Sequence, residues 1–281
     1  MSAYLPGAMG DNPPAEPSGT LALVCGRYAA SRDPDDLVEE FEVDDRPEQS
    51  LPASYNVAPT QNVYAVLDRP PRGEPEGPVR RALRVVRWGL VPSWAKDGTI
   101  GNRMINARME TVADKPAFRK AFAARRCLLP ADGYFEWYGE VKGRKQPFFI
   151  RPADGGGIAM AGLYELWRDP VAAEGEDPWL WSVAVLTTTA TDDLGRIHDR
   201  MPLLVEKGRY GEWLDPSSNG PESLAERSAL LIPAAPGLLT AYPVSTDVNN
   251  VRNDSPHLVD PIAVEDPSPG VAVGDQPDGL F

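Results

Sequence analysis

Cysteine and histidine are nearly absent, with two of each in 281 residues. Cys25 and Cys127 allow one bridge at most, which is no disulfide framework, and both are expected as free thiols. His198 and His257 stand in no Cys/His cluster of zinc spacing, so no metal and no other cofactor are expected. No apolar run approaches the ~18 residues of a membrane span. The first 24 residues lack the basic start and apolar core of a secretory signal, and carry Asp11, Glu16, Pro6, Pro13, Pro14 and Pro17. A cytoplasmic protein, without a membrane partner, is expected. There is no internal repeat and no glycine loop placed to cradle phosphate. Gly155-Gly156-Gly157 lies between two strand-like runs and reads as a hairpin turn.

Positive charge is also short: 28 Lys/Arg against 41 Asp/Glu give a net −13. That balance speaks against a nucleic-acid partner, because neutralising phosphates takes Lys and Arg. The charges are unevenly distributed, however. From Val79 to Arg151 there are 16 Lys/Arg and 6 Asp/Glu, a local +10 that leaves the remainder at −23. The surplus reads either as a solvated basic face or as a nucleic-acid contact.

What is present divides into three stretches. Residues 1–24 read as a disordered leader, 25–261 as one dense domain, and 262–281 as an acidic disordered tail, with no Lys or Arg after Arg252. Asp33-Pro34 forms a cap and first turn, and Leu37, Val38 and Phe41 make one apolar stripe, predicting a helix over Pro34 to Glu42. A second helix is expected from Lys115 to Arg125, with Phe118 and Phe122 on one face. Later helices are expected at Lys207 to Leu214 and Glu222 to Ser228. Strand-like runs are Val63 to Leu67, Ala82 to Trp88, Cys127 to Leu129, Tyr134 to Tyr138, Pro147 to Ile150, Ile158 to Leu163, Trp179 to Thr188 and Ala241 to Val244. Strands outnumber helices without regular alternation, which predicts a single α+β domain on a curved, barrel-like antiparallel β core with flanking helices.

Three short stretches are chemically unusual. Asn102 to Thr111 is polar at nearly every second place with Asn106 at its centre, although Asn is depleted in strands. Pro130 to Trp137 sets Glu136 between Phe135 and Trp137. A carboxylate buried there without a cation would have a raised pKa suited to general acid work; on the outer face of a strand it would be ordinary. Gly195 to Pro202 contains His198-Asp199-Arg200, and a lone loop histidine is structural unless it finds a partner.

Together with Cys25-Gly26-Arg27-Tyr28, Tyr55-Asn56-Val57-Ala58-Pro59, Trp88-Gly89-Leu90-Val91-Pro92 with Trp94, and Val248 to Asn253, these stretches closely resemble the SOS-response-associated peptidase family of abasic-site processing proteins. The resemblance runs in order from Cys25 to about Pro261. It implies an α+β fold around a barrel-like core, binding of single-stranded DNA and covalent trapping of abasic sites by an N-terminal cysteine. It assigns Cys25, Asn106, Glu136 and His198 to the active site. By the same resemblance Asn106 orients the amine or sugar and His198 shuttles a proton at the ring oxygen. Arg27, Arg108 and Arg200 grip flanking phosphates, and Trp94 stacks on a base. Trp88 is expected in the core, and Cys127 as a buried, inert thiol.

The need for a terminal cysteine is chemical. A ring-opened abasic sugar exposes an aldehyde, and an α-amine with a pKa of ~7.7–8.0 keeps a reactive neutral fraction. The amine attacks C1′, an acid helps water leave, and the thiol of the same residue closes a thiazolidine intramolecularly. An internal cysteine has no such amine. Here Val24 and 23 further residues precede Cys25. The leader is therefore expected to be missing from the mature protein, through translation starting at Val24 or through self-cleavage between Val24 and Cys25. Lyase activity by β-elimination, a thiol peptidase pairing Cys25 with His198, and a non-catalytic single-strand binder are further readings. A monomer is expected.

Overall fold

The structure is a computed structural model that describes residues 25–263, apart from 48, 71–73, 75, 142–143, 174, 176, 218–228, 230–234 and 236. The leader, nearly all of the acidic tail and the helix expected at Glu222 to Ser228 lie outside the described residues. Twelve strands and three short α-helices follow one another among them. The strands are β1 (Tyr28–Ala30), β2 (Ser54–Val57), β3 (Asn62–Arg69), β4 (Arg80–Trp88), β5 (Asn106–Arg108), β6 (Arg126–Ala131), β7 (Gly133–Val141), β8 (Arg144–Pro152), β9 (Ile158–Arg168), β10 (Trp179–Thr189), β11 (Arg200–Pro202) and β12 (Leu239–Pro243). The helices are α1 (Pro34–Glu40), α2 (Arg119–Ala124) and α3 (Tyr210–Leu214). None of the described helices is long and apolar enough to cross a membrane.

One sheet closes on itself. Strands β10, β4, β3, β6 and β9 pair in that order and β9 pairs back onto β10, making a five-stranded ring to which β5 and β11 attach along β10. The other sheet is open, in the order β12-β8-β7-β1-β2. The expected barrel-like α+β core is present. Pairing is antiparallel except where β10 runs parallel to β4 and β5.

Alternation along the ring strands separates two apolar faces. Val63, Ala65 and Leu67 of β3 pack toward the open sheet, in one cluster with Cys25, Tyr28 and Tyr134. Tyr64 and Val66 face the helices, with Leu37, Phe122 and Trp213. Helix α1 begins where expected: Asp33 accepts the Asp35 N–H and Pro34 occupies the first turn. Phe41 stacks on Tyr210 with ring centroids 5.0 Å apart. Helix α2 is shorter than the expected Lys115 to Arg125, because residues before Arg119 form turns that end on the Lys115 carbonyl.

The glycine triplet is not a hairpin turn. It joins β8 of the open sheet to β9 of the ring, which do not pair with each other. At Gly157 an added Cβ would stand 3.2 Å from the Ala131 carbonyl oxygen, so the crossing runs close against the end of β6.

Candidate active site

Glu136 lies on β7, whose residues alternate between two environments. Phe135 and Trp137 pack against the late turns around Val248 and Leu258. Tyr134 and, in part, Tyr138 join the cluster shared with the ring. Glu136 follows this second parity and is 2% exposed. The flanking aromatics of the sequence therefore lie on the opposite face of the strand, and the space between the two sheets is what removes Glu136 from water. That burial, with a smaller contribution from the Asp199 charge, pushes the carboxyl up to about 8 against the opposing effects of the Cys25 backbone hydrogen bond and Lys145.

Cys25 meets it directly. Its backbone N–H donates to Glu136 Oε1 at 2.6 Å, across 111 residues of sequence. Cys25 has no exposed surface, and burial followed by the Glu136 charge pushes its thiol well above the ordinary cysteine range. Its φ of +45° lies in the left-handed region that non-glycine residues seldom occupy. Two residues on, Phe135 N–H donates to the Arg27 carbonyl at 3.0 Å, so the start of the domain runs along β7.

The other assigned residues gather at the far end of β10. Asn106 opens β5 opposite Val185, and Arg108 stands opposite Thr187. The preceding Ile105 belongs to the same cluster as Cys25, and its carbonyl accepts from Trp88 Nε1 at 3.0 Å. Trp88 is fully buried and tilted against Tyr28 at 5.1 Å. After β10 the chain turns through His198 and returns as β11 beside Thr187 to Thr189. The Arg200 N–H donates to His198 Nδ1 at 3.0 Å, so in the neutral ring Nδ1 is the acceptor and Nε2 carries the proton. Asp199 Oδ1 stands 3.0 Å from the same nitrogen. The electrostatic action of Asp199 on Glu136 ties this turn to the carboxyl.

The arginines differ in what they have left to offer. Arg200 places both terminal nitrogens on Glu110, at 2.6 and 3.0 Å, and one also donates to the Thr187 carbonyl at 2.6 Å. Arg27 donates from Nη1 to Asn56 Oδ1 at 2.7 Å and to the Val248 carbonyl at 2.8 Å. Arg108 is exposed. Trp94 is 56% exposed, in the loop after β4. Part of the basic surplus is consumed internally: Arg81 pairs with Asp68, Arg125 with Glu165, and Arg126 is buried among backbone carbonyls. Cys127 is buried, which holds its thiol far above the ordinary range.

Sequence reasoning missed the role of Asn56. It is 2% exposed and donates to the carbonyls of Val248, Asn250 and Asn253 while accepting from Arg27. A buried asparagine with all four bonds to distant partners shows no local periodicity. Lys145 and Asp199, which tune Glu136, were equally invisible as a set. A cavity of about 960 Å³ is bordered by Arg32, Arg151, Lys207, Tyr210 and Trp213, and none of Cys25, Asn106, Glu136 or His198 lines it.

Comparison with known proteins gives a consistent picture. The family model described as SOS response associated peptidase matches residues 24–251. The chain is 39% identical over 238 residues to abasic site processing protein YoqW of Bacillus subtilis, covering 84% of this chain and 99% of the relative. It is 32% identical over 244 residues to abasic site processing protein YedK of Escherichia coli, covering 85% and 100%. A crystal structure of a Bacteroides thetaiotaomicron protein superposes with a TM-score of 0.70 at 24% identity, covering 85% of this chain and all of that one, and shares its fold.

Proposed function

The chain belongs to the SOS response associated peptidase family, and we propose that it traps abasic sites in single-stranded DNA as a thiazolidine at Cys25. The observation that carries this is the 2.6 Å contact between the Cys25 nitrogen and the buried Glu136 carboxyl, whose burial favours its protonated form. The mature protein begins at Cys25. Support comes from the family match, which starts at residue 24 and makes Cys25 its second residue.

With that nitrogen free, amine and carboxyl share protons as a pair. Its singly protonated state includes a neutral amine facing a protonated acid alongside the ammonium–carboxylate form. The first form does the chemistry: the amine adds to C1′ and Glu136 protonates the departing oxygen. The thiol then adds to the iminium carbon and its proton returns to Glu136. Burial keeps the thiol protonated until that step. It also argues against a thiol peptidase, which needs a thiolate.

His198, with a proton on Nε2, serves ring opening of the sugar, and Asn106 orients the sugar or amine from the end of β5. Arg108 and Trp94, both exposed, contact the strand. Arg27 and Arg200, already bonded within the protein, hold the turns around the site and contribute less to phosphate contact than Arg108 does. Self-cleavage between Val24 and Cys25 is favoured by one observation: the Cys25 backbone is strained, at a φ of +45°, where its N–H donates to Glu136.

Intact-mass measurement before and after incubation with an abasic single strand tests the reading. The expected result is a chain starting at Cys25 that gains the mass of the oligonucleotide less one water, stable to denaturant and lost in Cys25→Ala. Capture by a chain that retains residues ahead of Cys25 would overturn it.

A further inference from the structure

One buried hydroxyl in the cluster that contains Cys25 has no hydrogen-bond partner among the described residues. Tyr134 is 1% exposed, and its enclosed phenol oxygen makes no hydrogen bond among the described residues. It stands on β7 two residues before Glu136, so both side chains leave the same face of the strand. Its backbone is held opposite Tyr28 and Ile150, which fixes its position. It packs in the cluster that contains Cys25. Burial, reinforced by Cys25 and Glu136, keeps the phenol protonated well beyond its ordinary range. Buried polar groups are satisfied in the great majority of cases, and a catalytic role is one recognised reason for an exception.

On the thiazolidine reading, we propose that Tyr134 is a further catalytic residue, its hydroxyl donating a hydrogen bond to the C1′ oxygen as the carbinolamine loses it. The amine nitrogen bonds to C1′ and one amine proton passes to the carbonyl oxygen. Glu136 gives its proton to that oxygen, the C1′–O bond breaks and water leaves. The sulfur bonds to C1′ of the iminium, and the thiol proton restores Glu136. Tyr134 keeps its own proton throughout, so it acts as a fixed donor and not as a second acid.

Tyr134→Phe removes the oxygen and keeps the ring. The test uses the protein purified from cells expressing its gene, with an intact mass beginning at Cys25, reacted in single turnover with an abasic single strand. The variant is expected to crosslink about ten- to a hundredfold more slowly, a modest share of what loss of one preorganised donor costs elsewhere. Binding of an undamaged strand of equal length and the melting temperature are expected unchanged. Crosslinking at the wild-type rate overturns this inference alone. A variant whose melting temperature or undamaged-strand binding falls along with its rate assigns Tyr134 a structural role, and overturns it too. Absence of crosslinks in the wild-type protein overturns this and the capture reading together.

Discussion

Glutamine at position 136 is expected to erase a pH slope in the stability of the chain that retains Val24, where the Cys25 nitrogen is an amide. Glu136 is raised from 4.5 to about 8 in the folded protein. The native state therefore binds this proton more tightly than the unfolded state, and between those two values it holds more protons. Stability then falls as pH rises, by up to ~1.4 kcal/mol per pH unit. Over the full window of about 3.5 units this amounts to about 5 kcal/mol, present below pH 4.5 and lost by pH 8. Glu136→Gln has no proton to release and keeps an oxygen for the Cys25 N–H. Urea unfolding of both proteins from pH 5 to 9, at constant m-value, reads the difference. The wild type should lose ground steadily against the variant up to about pH 8 and then level off. A difference that stays flat over this range would refute the claim that burial governs Glu136, and with it the supply of an acid near neutrality.

Three further outcomes follow from other parts of the molecule. Trp94→Ala is expected to weaken binding of an undamaged single strand by ~1–3 kcal/mol, the worth of one stacked base, measured by fluorescence anisotropy, with the melting temperature unchanged. Asn56→Ala is expected to destabilise the protein by about 2–3 kcal/mol in urea titration, because three carbonyls and the Arg27 guanidinium lose a buried partner. Its amides from Val248 to Asn253 should exchange hydrogen faster than wild type. Cys127→Ala is expected to leave DNA capture intact while costing about 1–3 kcal/mol of stability for the emptied space, read from capture and urea unfolding together.

Residues that act through local pattern are legible in the sequence alone. The Asp33-Pro34 start of α1, its stripe of Leu37 and Phe41, and the alternating β-rich runs depend on neighbours three or four residues away, or two in a strand, and lie where expected. The shortest strands were not legible: β1, β2, β5 and β11, of three or four residues, carry too few alternations to register; β1, β5 and β11 pair onto the longer β7 and β10, and β2 in turn onto β1. The glycine triplet failed as a hairpin for a related reason. A turn and a crossing between sheets make the same local demand on the backbone, and only the pairing partners of β8 and β9 distinguish them.

The site divides in the same way. Order and identity along the chain were enough to propose Cys25, Asn106, Glu136 and His198 as a set, through their resemblance to a family pattern, and of these the structure brings Cys25 and Glu136 into direct contact. What sequence left open was whether Glu136 faces water, and the flanking aromatics pointed to the wrong cause. Parity along β7 put it between the sheets, and the approach of Cys25 across 111 residues gave it a nitrogen to work on. Composition and spacing settle which groups exist; dielectric surroundings and distance, which convert a carboxylate into an acid near neutrality, arise only when two sheets close over it.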